Sequence, residues 1–257
     1  MIYLKTEEEI QLIQHSSLLV GKTIAEVARH IKPGITTMEL DQIAEEFIRD
    51  HGAKPGFKGY RGFPATLCVS VNENVVHGIP DKYELREGDI VSIDCGVLKN
   101  GYYGDSAYTF AVGNVKPEVL ALMKATKEAL YKGIEQAVAG KRIGDIGNAI
   151  QQHVNPMGYG IVRELIGHGV GKHLHESPDV PNYGKKGHGV LLSEGMVIAI
   201  EPMINLGKRH IVQEDDGWTI RTLDRKPSAH YEHTIAVRKD KADILSSFEE
   251  IEKVINN

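Results

Sequence analysis

The stretch Leu85-Arg86-Glu87-Gly88-Asp89-Ile90-Val91-Ser92-Ile93-Asp94 returns 107 positions later as Leu192-Ser193-Glu194-Gly195-Met196-Val197-Ile198-Ala199-Ile200-Glu201. Both copies turn at a glycine, run through strand-type apolar residues and stop on a carboxylate. Buried strands do not normally carry carboxylates, because an unpaired charge in an apolar setting is costly or takes up a proton. The echo predicts two related halves, about residues 1–115 and 116–257, that deliver acids to a shared centre. Two copies are too few for a solenoid.

Outward from these runs the same order of elements repeats. Thr6-Glu7-Glu8-Glu9 has the form of a capping box. Apolar residues at Ile10, Ile13, Val20, Ile24 and Val27 continue one helical face until Pro33-Gly34. A second box, Thr36-Thr37-Met38-Glu39, opens a helix ending near Gly52, and residues 57–76 read as a glycine-rich loop followed by β-type residues. After Pro117 the pattern restarts, with a helix to about Val138, a break at Gly140 and a helix from about Ile143 to His153. His77-Gly78-Ile79-Pro80 and His175-Glu176-Ser177-Pro178 share an H-x-x-P pattern that reads as a turn. The predicted class is α/β with α+β character, two αα-then-β halves within a single domain over residues 1–257.

Between Asp94 and Asp105 lies Lys99-Asn100-Gly101-Tyr102, and Asn-Gly is the strongest short hairpin signal. With a two-residue loop, Lys99 pairs with Tyr102 and Asp94 faces Ala107. Asp105 is then a diagonal neighbour of Asp94 on the same face, about 7–8 Å away between Cβ atoms. A one-residue slip would turn both acids to the wrong face. Three further residues of ligand type stand in comparable settings: His168 in the glycine-rich turn Gly167-His168-Gly169, Glu201 before Pro202, and Glu232 in Tyr231-Glu232-His233-Thr234. Four carboxylates and one imidazole require a cation, and two divalent ions would balance the four charges. Oxygen-rich ligation with one nitrogen suits Mn²⁺, Fe²⁺, Co²⁺, Zn²⁺ or Ni²⁺. A pair of such ions lowers the pKa of water towards about 7 and serves hydrolysis.

Composition narrows the class. The chain of 257 residues is 41% apolar and 25% charged, which argues against wholesale disorder. A formal charge of −5 argues against a general nucleic-acid binder. The short basic stretches Lys185-Lys186, Lys208-Arg209 and Arg225-Lys226 have acids around them and read as solvated surface. Two cysteines, Cys68 and Cys95, are too few for a disulfide scaffold and suit a reducing compartment. The first residues lack the charge order of a signal peptide, and no run of about 18 apolar residues occurs. A cytoplasmic protein without membrane contact is expected.

Taken in order, these segments resemble the methionine aminopeptidases of the short bacterial kind (type I), which have the pseudo-two-fold pita-bread fold, a curved antiparallel sheet covered by helices. The matching segments are Asn72-Glu73, His77 to Pro80, Asp94, Gly101 to Asp105, Gly167 to Gly171, His175 to Pro178, Glu201-Pro202 and Glu232 to Thr234. The resemblance implies removal of the initiator methionine from nascent polypeptides with a small second residue. It implies that Asp94 binds one metal, that Asp105 and Glu232 bridge the pair, and that His168 and Glu201 complete the second ion. Glu201 would also act as base, His175 would steady the oxyanion, and His77 would contact the scissile amide or the residue after methionine. The methionine pocket maps onto Tyr60, Phe63, Cys68, His77, Leu174 and Trp218, with Phe57 at its edge. Leu174 stands where the best-studied relatives carry Phe, and Phe57 and Phe63 where relatives often have Cys and Tyr; the wall stays apolar. Transient ribosome contact and a monomeric state accompany this reading. His15, His30, His51, His153, His188, His210, His230 and His233 read as surface or packing residues, and no base adjoins Cys68 in sequence to make it a nucleophile.

Two other readings compete. Proline-specific peptidases of the same fold usually carry a large N-terminal domain, for which a first helix at about residue 6 leaves no room. Non-catalytic relatives that bind RNA or protein typically lose ligands, and all five are present here. Type II relatives carry a helical insertion that neither the His168–Glu201 nor the Glu201–Glu232 interval could hold.

Overall fold

In the computed structural model, which describes residues 1–256, the expected order of elements is present in both halves. The first half comprises α1 (Glu7–Ala28), α2 (Thr37–Asp50), β1 (Lys54–Pro55), β2 (Leu67–Val71), β3 (Asn74–Val76), β4 (Ile90–Lys99) and β5 (Tyr102–Ala111). The second comprises α3 (Pro117–Ile134), α4 (Ile143–Val154), β6 (Gly160–Ile161), β7 (Gly167–Gly169), β8 (Glu176–Val180), β9 (Val197–Ile200), β10 (Met203–Asn205), β11 (Ile211–Gln213), β12 (Ile220–Thr222), β13 (Ser228–His230), β14 (Glu232–Ala236), β15 (Asp243–Ile244) and α5 (Glu249–Ile255).

Both predicted capping boxes form: the Thr6 and Thr36 hydroxyls accept from the amides of Glu9 and Glu39, whose carboxylates reach back to the cap amides. Two helices end earlier than their apolar pattern suggests. α1 stops at Ala28 rather than at Pro33, because the Arg29 amide already turns back to the Glu26 and Val27 carbonyls. α3 stops at Ile134 rather than Val138, since the next residues find tertiary partners: the Ala139 amide donates to the Arg238 carbonyl.

Among the described residues the largest sheet has nine strands, with the path β1-β4-β5-β14-β9-β7-β8, β2 pairing β4 and β15 pairing β14. Its order is mirrored about the β5–β14 contact, with β4 outside β5 and β9 outside β14, so the sequence echo becomes an approximate two-fold axis. The hairpin register is the predicted one, Lys99 opposite Tyr102 and Asp94 opposite Ala107. Asn100 and Gly101 both take positive φ, 52° and 80°, the signature of the two-residue turn whose twist matches the strands.

Alternation along β4 fixes which face does what. Val91, Ile93, Cys95 and Val97 join one buried cluster with Val20 and Ile24 of α1, Leu40 and Ile48 of α2, and Leu122 and Leu130 of α3. Ser92 and Asp94 therefore face away from these helices, Ser92 onto the Thr109 hydroxyl at 2.8 Å and Asp94 into a cleft. No described helix is long and apolar enough to cross a membrane.

Candidate metal centre and substrate cleft

The five ligand-type residues come from five successive strands of the sheet path: Asp94 from β4, Asp105 from β5, Glu232 from β14, Glu201 from the end of β9 and His168 from β7. Ala107 pairs with Asp94 on one side and Glu232 on the other. Directly paired residues point to the same face, and Asp105 lies two residues before Ala107, so three carboxylates converge there. His168 lies within a strand, although its flanking glycines read as a turn. Those glycines permit close backbone packing: a Cβ at Gly169 would meet the Ser177 carbonyl at 2.5 Å, and one at Gly167 would strike the Ala199 carbonyl.

The His168 Nδ1 lies 2.9 Å from the Gly169 carbonyl oxygen. A carbonyl only accepts, so Nδ1 carries the proton and the Nε2 lone pair is left as a ligand atom. That Nε2 lies 3.6 Å from Glu201 Oε1 and 3.8 Å from Asp105 Oδ2. Ligand atoms of Asp105, His168 and Glu232 lie within 4.8 Å of one another, and all three residues are buried. Asp94 Oδ1, Asp105 Oδ1 and Glu232 Oε1 are buried without a hydrogen-bond partner among the described residues. Orphaned carboxylate oxygens converging with a free imidazole nitrogen fit a divalent cation.

The electrostatics record the strain of this cluster in metal-free protein. Burial, then the neighbouring acids, pushes the Asp105 and Glu232 carboxyls well above their ordinary range. Burial also lifts Glu201 to about 7, against the pull of His168. Asp94 rises to about 7 through burial, with His230 opposing and Glu201 adding to the rise.

A cavity of about 270 Å³ joins this cluster to an apolar wall. Every site residue named from the sequence lines it: the five ligands, His77, His175, Tyr60, Phe63, Cys68, Leu174, Trp218 and Phe57. Phe63 and Trp218 meet edge to face at 5.1 Å between ring centroids. Phe57, Phe63, Cys68 and Leu174 form one buried apolar cluster with Tyr60 and Trp218 against it. Burial, followed by the charges of Asp94 and Asp105, raises the Cys68 thiol well above its usual value, which disfavours a nucleophilic thiolate.

The two H-x-x-P segments differ. His77 follows β3 with a left-handed φ of 58°, whereas His175 leads directly into β8 rather than forming a turn. His175 Nδ1 is 2.9 Å from the Tyr60 hydroxyl, and its ring lies 4.1 Å from that of His168. Enclosure by the cleft, then His168, lowers His175 to about 3, and burial, then His230, lowers His77 to about 4.

One residue at this site was read otherwise from the sequence. His230, classed with surface and packing histidines, is buried with its Nε2 3.6 Å from Glu201 Oε2. His230 ends β13, and its neighbourhood is assembled by Asp94 of β4, Thr109 of β5 and Glu201 at the end of β9, so the local signal, an imidazole two residues before Glu232, is too weak to find it. His233 by contrast packs as expected, bonded to Ser246 Oγ at 2.6 Å and stacked on Phe248.

Comparison with known proteins agrees with this geometry. The chain is 52% identical over 246 residues to a methionine aminopeptidase of Clostridium perfringens, covering 96% of this chain and 99% of the relative. It is 50% identical to methionine aminopeptidase 1 of Bacillus subtilis, with the same coverage. The crystal structure of methionine aminopeptidase from Rickettsia prowazekii superposes with a TM-score of 0.95 at 40% identity, covering 96% of this chain and 100% of that one. A prolidase from Pyrococcus furiosus, at 24% identity and a TM-score of 0.79, shares the fold, and this chain covers 65% of it. The pseudo-two-fold pita-bread architecture holds, and the model of metallopeptidase family M24 matches residues 11–239. With its acids gathered on one sheet face and that match spanning both halves, the chain belongs to metallopeptidase family M24.

Proposed function

We propose that this chain removes the N-terminal methionine from polypeptides by metal-dependent hydrolysis, with two divalent ions held by Asp94, Asp105, His168, Glu201 and Glu232. The observation that carries this reading is that one cavity is lined by both the carboxylate cluster and an aromatic wall beside Cys68 and Leu174. A thioether favours such a polarisable, aromatic-lined space. The relatives at about 50% identity named methionine aminopeptidase support the same substrate.

When bound, the ions supply Lewis acidity and an activated water. Glu201 would take the proton of a water attacking the scissile carbonyl and pass it to the amine as the C–N bond breaks. In the tautomer that carries its proton on Nε2, His175 accepts from the Tyr60 hydroxyl, 2.9 Å from Nδ1, and offers its Nε2–H as a hydrogen bond to the oxyanion that develops in the transition state. His77, beside Trp218, contacts the scissile amide or the second residue, which is small. Phe63, Tyr60, Leu174, Cys68 and Trp218 hold the methionine side chain. The unbroken path from β4 through β5 and β14 to β9 supports one catalytic domain. Nascent chains as substrate, transient contact with the ribosome, a monomeric state and a cytoplasmic location belong to this reading. The Lys208-Arg209 and Arg225-Lys226 stretches retain acidic partners, Arg209 with Glu164 and Arg225 with Glu73.

Metal-reconstituted protein should release methionine from Met-Ala-Ser and leave Ala-Pro-Ala intact. Cleavage of the proline peptide alone would move the chain to the proline-specific branch, and no cleavage with any of the five candidate metals would favour a binding role.

A further inference from the structure

A packing histidine satisfies its nitrogens, as His233 does with Ser246 and with Tyr131 at 3.3 Å. His230 does not. Its side chain is 1% exposed, and neither ring nitrogen has a hydrogen-bond partner among the described residues. An apolar residue would fill the same space without leaving two polar atoms desolvated. The backbone carrying it is fixed: Thr109 Oγ1 accepts from the His230 amide at 2.9 Å and lies 2.7 Å from its carbonyl oxygen, and Met203 pairs across the strand.

The direction of the ring supplies the reason. Nε2 lies 3.6 Å from Glu201 Oε2, while Glu201 Oε1 lies 3.6 Å from His168 Nε2. Glu201 thus stands between two imidazoles, one at each carboxylate oxygen. With Nδ1 bonded to the Gly169 carbonyl, Nε2 is the His168 atom presented to a metal, so His230 is the side left to offer an N–H. A closure of a few tenths of an ångström brings that contact into ordinary hydrogen-bond range.

We propose that His230 is a positioning residue: it donates from Nε2 to Glu201 and orients that carboxylate for the metal ions. Hydrogen bonds of this kind to a ligating carboxylate fix its orientation and tune its affinity. The inference rests on the metal-centre reading above.

The test uses the metal-stripped full chain, titrated calorimetrically with Mn²⁺, together with the visible absorption of the Co²⁺-loaded form. The variants are His230→Leu, His230→Asn and His230→Gln, whose side-chain amide N–H reaches close to the Nε2 position. His230→Leu and His230→Asn should weaken Mn²⁺ binding about 10–100-fold and shift the Co²⁺ bands, and His230→Gln should restore most of both. Wild-type affinity and spectrum in the Leu and Asn variants would overturn the proposal, as would a Gln variant no better than Asn. If the Leu variant fails to fold, the Gln–Asn comparison decides alone. Absence of metal uptake by the wild-type chain would instead sink the metal-centre reading itself.

Discussion

Ala107 of β5 lies directly opposite Glu232 of β14, and its other flank lies directly opposite Asp94 of β4. A fully buried methyl group is therefore all that separates two carboxylates in one row across three strands. The small side chain leaves the space into which Asp94, Asp105 and Glu232 converge.

Ala107→Val should fill that space. Overpacking of this kind costs about 1–3 kcal/mol of stability, which a large domain tolerates, but the ions lose their room. Calorimetric titration with Mn²⁺ should show affinity reduced at least about tenfold, the scale on which disturbed ligand orientation acts, while the metal-free variant still melts cooperatively. Unchanged affinity would mean the carboxylates do not meet over Ala107.

His168 contributes the one nitrogen of the proposed ligand set, and Glu201 both a ligand and the base. His168→Ala and Glu201→Ala should each abolish methionine release at every metal concentration tried. Normal turnover by purified His168→Ala would remove it from the centre.

The Tyr60–His175 contact of 2.9 Å sets which nitrogen of His175 faces the cleft. His175→Ala should lower kcat by about 10²–10³, as loss of one oxyanion donor does. Tyr60→Phe keeps the ring stacked on His175 at 5.2 Å but removes the hydroxyl. It should lower kcat by a smaller factor and leave KM for Met-Ala-Ser nearly unchanged. A pure KM effect in either variant would assign these residues to binding alone.

Metal-free protein should show the cluster's strain in its pH dependence. Glu201 rises to about 7 in the folded chain through burial, against about 4.3 when unfolded. A raised folded value contributes stability that is complete below the unfolded value and lost as pH rises through about 7. Glu201→Gln cannot ionise, so the metal-free variant should melt above the metal-free wild type at about pH 8, and the gap should narrow towards about pH 5. The depressed His77 and His175 act in the opposite sense, losing stability as pH falls below their ordinary range, but they are common to both proteins. A gap independent of pH would show that Glu201 is not strained.

Much of this architecture was legible because its determinants are local. Asn100-Gly101 fixes the hairpin loop, the loop fixes the register, and the register places Asp94 and Asp105 on one face. Thr6 with Glu9 and Thr36 with Glu39 mark helix starts within four residues. Helix ends were less legible, because the carbonyl of Arg238, far along the chain, takes up the Ala139 amide. Short strands were also obscure: Gly167-His168-Gly169 reads as a turn, yet close packing against Ser177 and Ala199 makes its glycines strand residues. His230 is the clearest case. Nothing within Ser228-Ala229-His230-Tyr231 reveals that Glu201, brought in by another strand, will stand beside its ring.

The most direct test is methionine release from Met-Ala-Ser by chelator-stripped protein as Mn²⁺, Fe²⁺ or Co²⁺ is added back in counted equivalents. The account predicts no release without metal and activity that rises and saturates by two equivalents. Undiminished release in excess chelator, or none with any metal, would contradict it.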